Sequence, residues 1–200
     1  MTSTILKRPL ALTCAGALAV VAAGCQQPSS GVAAAARLHP GYDKASGRLT
    51  RLEYDSNGDG KIDTWGYMDG MRVVRVEVDE DGDGKIDRWE YHSGSAPSGV
   101  AQGSVDKTIE RIERATKHDG KVSRWERFDK GALVHVEEDT DGDGLVDKWE
   151  DYTGGTLTLM ALDTQHHGKP DRRLIYLADG TFDHVEVDAT GAGVFTRLKP

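Results

Sequence analysis

Asp79-Glu80-Asp81-Gly82-Asp83-Gly84-Lys85-Ile86-Asp87-Arg88-Trp89-Glu90-Tyr91 is the stretch on which the fold turns. Numbered from its first Asp, it carries carboxylates at positions 1, 3, 5 and 9, glycine at 4 and 6, isoleucine at 8 and tryptophan at 11. The nine-residue core of the pattern returns as Asp55-Ser56-Asn57-Gly58-Asp59-Gly60-Lys61-Ile62-Asp63 and as Asp139-Thr140-Asp141-Gly142-Asp143-Gly144-Leu145-Val146-Asp147. A weaker copy, Ala115 to Ser123, lacks acids at positions 1 and 3, and two more begin at Asp163 and Asp188. Trp65, Trp89, Trp125 and Trp149 keep the period, at intervals of 24, 36 and 24 residues. The long interval is one repeat plus an insertion, Ser93 to Ser104, whose Gly, Ser and Pro content marks it as a loop. Self-similarity at a fixed period signals stacked supersecondary units.

The chain between these loops reads as strand. Arg72 to Val78, Ala132 to Glu138 and Thr156 to Leu162 are β-branched or apolar and alternate with period two. Asp69-Gly70, Gly154-Gly155 and Asp179-Gly180 punctuate them as tight hairpin turns. The expected fold is therefore all-β: an antiparallel meander of about twelve short strands over residues 47–200, assembled from 24-residue strand–loop–strand repeats. A sheet that large tends to curl or split, so a curved or closed sheet is expected, folded onto its Trp/Tyr/Val face. Pairing residues whose loop numbers sum to nine sets Glu53, Glu77, Glu113 and Glu137 opposite Thr64, Arg88, Arg124 and Lys148, and three of these four pairs have opposite charge. That register gives the tryptophans a face shared with Leu52, Tyr54, Val76 and Val78, and puts position 12 on the polar outer face.

Alternate carboxylates on a tightly coiled loop converge on one centre, and a hard cation such as calcium takes six to eight oxygens at about 2.3–2.6 Å. Glycine at position 6 allows the sharp turn that aims the position-7 carbonyl inward, and Ile62, Ile86 and Val146 at position 8 anchor each loop. Without a cation the clustered carboxylates repel one another; the alternative is a solvated Asp/Gly turn. The expected metal ligands are Asp55, Asn57, Asp59, Lys61 and Asp63 in loop one. In loop two they are Asp79, Asp81, Asp83, Lys85 and Asp87, and in loop four Asp139, Asp141, Asp143, Leu145 and Asp147. Lys61, Lys85 and Leu145 enter through their backbone carbonyls. These loops resemble the calcium loops of EF-hands, dockerins and thrombospondin type 3 repeats, over about nine residues per unit. The EF-hand resemblance implies a further ligand at position 12, Glu90 in loop two and Glu150 in loop four, whereas loop one has Gly66 there. In an EF-hand a helix carries that residue back to the metal. The exit here reads as strand, and three extended residues move the chain about 10 Å. Glu90 and Glu150 are therefore conditional, and Asp at position 9 is the stronger expectation.

At the N-terminus, Lys7 and Arg8 precede an apolar run from Leu10 to Ala23 that ends in Ala22-Ala23-Gly24-Cys25. The run has the length of a signal-peptide core and is too short to span a bilayer as a helix. With Cys25 it resembles the lipobox of bacterial lipoproteins, with Ala22 where that family usually has Leu; ordinary secretory cleavage in Ala33 to Ala36 is the alternative. The resemblance implies a signal peptide over 1–24 and acylation at Cys25; the Ser-, Gly- and Ala-rich composition that follows reads as a flexible tether over 25–46, ahead of the calcium-loop domain that the repeat marks over 47–200. The lipobox resemblance also implies a place in the cell envelope, at the outer membrane or cell surface, with the membrane met through the N-terminal lipid alone. Cys14 and Cys25 are the only cysteines, so the body has no internal disulfide to lean on. A formal charge of −8 disfavours nucleic acid and favours divalent cations. No phosphate loop, nucleophile elbow or HExxH sequence is present, so no enzymatic activity is expected. The expected function is calcium binding in a surface-anchored structural or interaction module. The alternative is a carbohydrate-binding or adhesive domain using the Trp/Tyr face, with its protein or glycan partner unspecified.

Overall fold

A computed structural model describes residues 36–93 and 108–199. The signal segment, Cys25, the start of the tether and most of the insertion after Ser93 lie outside the described residues. The described chain is all-β, with no helix. Its strands are β1 (Leu38–Tyr42), β2 (Leu49–Tyr54), β3 (Thr64–Asp69), β4 (Arg72–Val78), β5 (Arg88–His92), β6 (Ile109–Arg114) and β7 (Arg124–Asp129). They continue as β8 (Ala132–Glu138), β9 (Lys148–Thr153), β10 (Thr156–Leu162), β11 (Arg172–Tyr176), β12 (Phe182–Val187) and β13 (Thr196–Arg197). All thirteen form one antiparallel meander in sequence order, with β1 and β13 as free edges, so the sheet is open. β1 falls within the stretch read from composition as tether, so among the described residues paired strand extends upstream of residue 47. Its Pro40 and Gly41 lower strand propensity, but an edge strand tolerates both.

Turn chemistry explains the meander. Two-residue connections join β7 to β8 through Lys130 (φ 51°) and Gly131 (φ 82°), and β9 to β10 through Gly154 (φ 60°) and Gly155 (φ 84°). Two consecutive positive φ values are the mark of the type I′ turn, whose twist suits a hairpin. These turns crowd one end of the sheet. The Asp loops occupy the other end in a single row, joining β2 to β3, β4 to β5, β6 to β7, β8 to β9 and β10 to β11, with a sixth between β12 and β13. Successive loops are two strands apart, which is about 9–10 Å at ordinary strand spacing.

The pairing differs from the expected register by one residue. Val78 faces Arg88 and Glu77 faces Trp89; Glu138 faces Lys148 and Glu137 faces Trp149. Loop numbers across each hairpin therefore sum to ten. The cause is the loop closure: the position-9 N–H donates to the carbonyl just before position 1, as in Asp87 to Val78 at 2.9 Å and Asp147 to Glu138 at 3.0 Å. A one-residue slip exchanges the two faces. The tryptophans consequently share their face with the glutamates, in the cross-strand row Glu53, Trp65, Glu77, Trp89, Glu113, Trp125, Glu137, Trp149. Beside it runs a row of Arg and Tyr. The Arg75 guanidinium lies 4.3 Å over the Tyr67 ring and Arg111 lies 4.1 Å over Tyr91. The two hydroxyls donate to Glu77 at 2.7 Å and Glu113 at 3.1 Å.

The opposite face holds Val76, Glu90, Ile112, Glu126, Val136 and Glu150 in one row, flanked by Arg88, Arg114, Arg124, Glu138 and Lys148 in the next. A single sheet layer has nothing to pack its faces against. Buried apolar side chains among the described residues are accordingly few: Ile112, Ala115, Val136 and Ala161. Long side chains lie along the sheet and shield one another instead, keeping their charged ends wet. Each turn-end hairpin also carries a register shift that leaves one residue unpaired: Thr50, Val74, Glu110, Val134, Thr158 and Asp183. Such bulges increase local twist and recur here with the repeat.

Candidate metal centres

Most of the buried polar groups among the described residues are loop aspartates. Asp55, Asp63, Asp79, Asp87, Asp139, Asp147, Asp163, Asp171 and Asp188 are all buried, with Asp87 only 1% exposed. They occupy positions 1 and 9, which the observed register sets opposite each other. The backbone ladder runs on through them, for example from the Asp79 N–H to the Asp63 carbonyl and from Asp163 to Asp147.

Inside each intact loop the carboxylates bind the loop's own backbone. In loop two, Asp79 accepts the Gly82 N–H at 2.7 Å on Oδ1 and the Gly84 N–H at 2.9 Å on Oδ2. Asp81 accepts from the Asp83 N–H and Asp83 from the Lys85 N–H. Loop four repeats every bond, with Asp139 taking Gly142 and Gly144, Asp141 taking Asp143, and Asp143 taking Leu145. Loop one does the same from Asp55, Asn57 and Asp59, the last accepting from Lys61. The glycines at positions 4 and 6 adopt φ near +80° to +90°, as in Gly82 and Gly84 (79° and 89°), which few other residues tolerate. These bonds fix the loops without exhausting them, because each carboxylate offers about four acceptor sites.

Burial works against ionisation of Asp139, yet the N–H groups of Gly142 and Gly144 outweigh it and hold the carboxyl below its usual range. Asp163 is held down in the same way, against its burial, by Gln165, Gly168 and His167. These carboxylates remain ionised through the neutral range.

Three acids from each of two expected ligand sets are brought together, with Asp87 and Asp143 outside these two groups. Single carboxylate oxygens of Asp79, Asp81 and Asp83 lie within 4.8 Å of one another, as do those of Asp139, Asp141 and Asp147. Between loops one and two, Asn57, Asp59, Asp63, Asp79 and Asp83 line a cleft of about 360 Å³. Glu90 and Glu150 are placed differently. Their segments, β5 and β9, leave the loops as strands, and position 12 sits on the face opposite positions 9 and 11. That face is not the outer polar one: Glu150 is buried, contacts Lys148 at 3.4 Å and accepts the Tyr152 hydroxyl at 2.9 Å. Glu90 pairs with Arg88. Both are structural acids of the sheet.

The weak copies hold a feature that the loop pattern does not announce. His118 and His166 stand at position 4 of loops three and five with φ of 51° and 55°, where the intact loops have Gly. Each reaches back to the preceding loop, His118 Nδ1 to Asp87 Oδ2 at 3.3 Å and His166 Nδ1 to Asp141 Oδ2 at 2.8 Å. Loop three also reaches forward, its Lys117 ammonium donating to the Asp141 carbonyl at 2.8 Å. The four tryptophans are half-buried among glutamates, and the Tyr67 and Tyr91 rings are already covered by guanidinium groups. No protein-family model and no curated protein compared with the chain matches it.

Proposed function

We propose that this chain is a calcium-binding structural or interaction module of the cell envelope, tethered through a lipid on Cys25, with loops two and four as its principal sites and loop one a weaker one. The observation that carries the reading is the convergence of Asp79, Asp81 and Asp83, and of Asp139, Asp141 and Asp147, each within 4.8 Å. All are hard oxygen donors on loops pre-formed by their own backbone bonds, which suits calcium's flexible oxygen shell. Position-7 carbonyls and water would complete the coordination. The row of loops at one end of an open sheet makes each bound cation a local staple between two strands of a layer with little apolar interior. Metal binding and folding are then coupled. No enzymatic role is proposed.

Calorimetric calcium titration tests the reading. Asp83→Ala and Asp143→Ala should each remove about one equivalent of bound calcium. Unchanged stoichiometry in both variants overturns the assignment.

A further inference from the structure

In loops one, four and five the position-2 hydroxyl donates to the position-9 carboxylate: Ser56 to Asp63 at 2.7 Å, Thr140 to Asp147 at 2.8 Å and Thr164 to Asp171 at 2.9 Å. Loop two departs from this rule. Its position 2 is Glu80, which gives only its N–H to Asp87 Oδ2 at 2.9 Å and sends its own carboxylate out to Arg88 at 2.8 Å. Asp87, the most deeply buried of the loop acids, is left with Oδ1 lacking any hydrogen-bond partner. A buried, unsatisfied carboxylate oxygen is expensive and points to a missing partner.

The group that approaches this carboxylate comes from another loop. His118 holds a left-handed backbone conformation that a histidine adopts at some cost, though less than most side chains. From there single ligand atoms of His118, Asp81 and Asp87 fall within 4.8 Å of one another. Tetrahedral zinc, with donors at about 2.0–2.2 Å, places its ligand atoms roughly 3.3–3.6 Å apart. A small contraction would therefore close the set. One imidazole and two carboxylates suit a borderline cation better than a hard one, because calcium takes oxygen donors.

We propose that loops two and three together form a mixed nitrogen–oxygen site for a divalent cation of the zinc class, with His118, Asp81 and Asp87 as protein ligands and water completing the shell. Loop three is then more than a weak copy: it supplies the nitrogen donor that adds a second metal chemistry to its neighbour. The His166 cluster in loops four and five lacks the decisive feature, since its two acids, Asp141 and Asp143, are both exposed and it holds no buried, unsatisfied carboxylate. The proposal shares Asp81 and Asp87 with the calcium reading but does not require calcium to bind.

The test uses Co²⁺ alone as the spectroscopic probe, added to the purified full chain, with calcium uptake measured separately. His118→Asn is the main variant because Asn tolerates the left-handed region, and His118→Gly restores the residue that intact loops carry there. The expected result is one equivalent of Co²⁺ with a visible ligand-field band, weakened at least tenfold in both variants and unaffected by His166→Asn, while calcium stoichiometry stays as in the parent. Equal Co²⁺ affinity in the parent and both His118 variants overturns the proposal and leaves the calcium reading standing. Equal losses from the His118 and His166 variants also overturn it, by revealing generic surface histidines. Loss of calcium uptake by the parent, with His118-dependent Co²⁺ binding intact, sinks the calcium reading alone.

Discussion

Thr140→Val exchanges one hydroxyl of loop four for a methyl group of similar size. In the folded chain Thr140 Oγ1 lies 2.8 Å from both oxygens of Asp147, and its N–H adds a bond to Oδ2 at 3.0 Å. Asp147 is 8% exposed, so water cannot easily replace the lost donor. A hydrogen bond to a charged group contributes about 1.5–3 kcal/mol. Each kcal/mol moves the midpoint of a body this size by about 2–4 °C, which gives an expected fall of roughly 3–12 °C. Thermal unfolding in excess chelator, followed by far-UV circular dichroism, isolates this term from any metal contribution. Thr140→Ser should be nearly silent, since loop one carries Ser56 in the same place. The reciprocal change, Glu80→Thr, supplies the hydroxyl that Asp87 lacks. Its cost is confined to exposed ion pairs with Arg88 and Arg114, worth about 0–1 kcal/mol, so a gain of about 1 kcal/mol is expected. A Thr140→Val variant within about 0.5 kcal/mol of the parent, together with a destabilised Glu80→Thr, would refute the view that position-2 hydroxyls hold the loops.

Further outcomes follow from the placement of the position-12 acids. Glu150→Gln should leave calcium affinity almost unchanged while Asp147→Ala lowers it strongly; titration calorimetry on the two variants gives the ranking, and the reverse order would require β9 to turn back toward the metal. Tyr152 is pushed up to about 12, by burial first and then by its bond to the Glu150 carboxylate. Because the folded value is raised, its contribution to stability is complete below about pH 10 and is lost as the pH climbs toward about 12. Phenolate absorbance should show a latest-titrating component that disappears in Tyr152→Phe and moves to lower pH in Glu150→Gln, while the raised Tyr91 stays as in the parent.

Much of the architecture was legible in the sequence. The segments Arg72 to Val78, Ala132 to Glu138 and Thr156 to Leu162 are strands with those bounds, because period-two alternation and flanking glycines agree. The loop pattern likewise located the acids that converge. The register was not legible, since charge matching fits either neighbouring alignment when both faces carry glutamate. Glu77 opposite Arg88 looks as sound on paper as Glu77 opposite Trp89; the loop-closing bond from the position-9 N–H decides between them. The bulges at Val74, Val134 and Thr158 leave no compositional mark, and β1 hid behind Pro40 and Gly41. Nothing in the loop pattern marks His118 and His166, because their partners lie in the preceding loop, 31 and 25 residues earlier in sequence at Asp87 and Asp141.

The central claim, that cations at the loop row hold this open sheet together, is tested most directly by one thermal melt of the chain in millimolar calcium and again in excess chelator. A site occupied at 100 times its dissociation constant adds about 2.7 kcal/mol, so two or three such sites supply roughly 5–8 kcal/mol against a typical total of about 5–15 kcal/mol. The account predicts a midpoint many degrees lower in chelator, or no cooperative transition at all. Coincident midpoints would contradict it and leave the sheet held by its ladder and its charged faces alone.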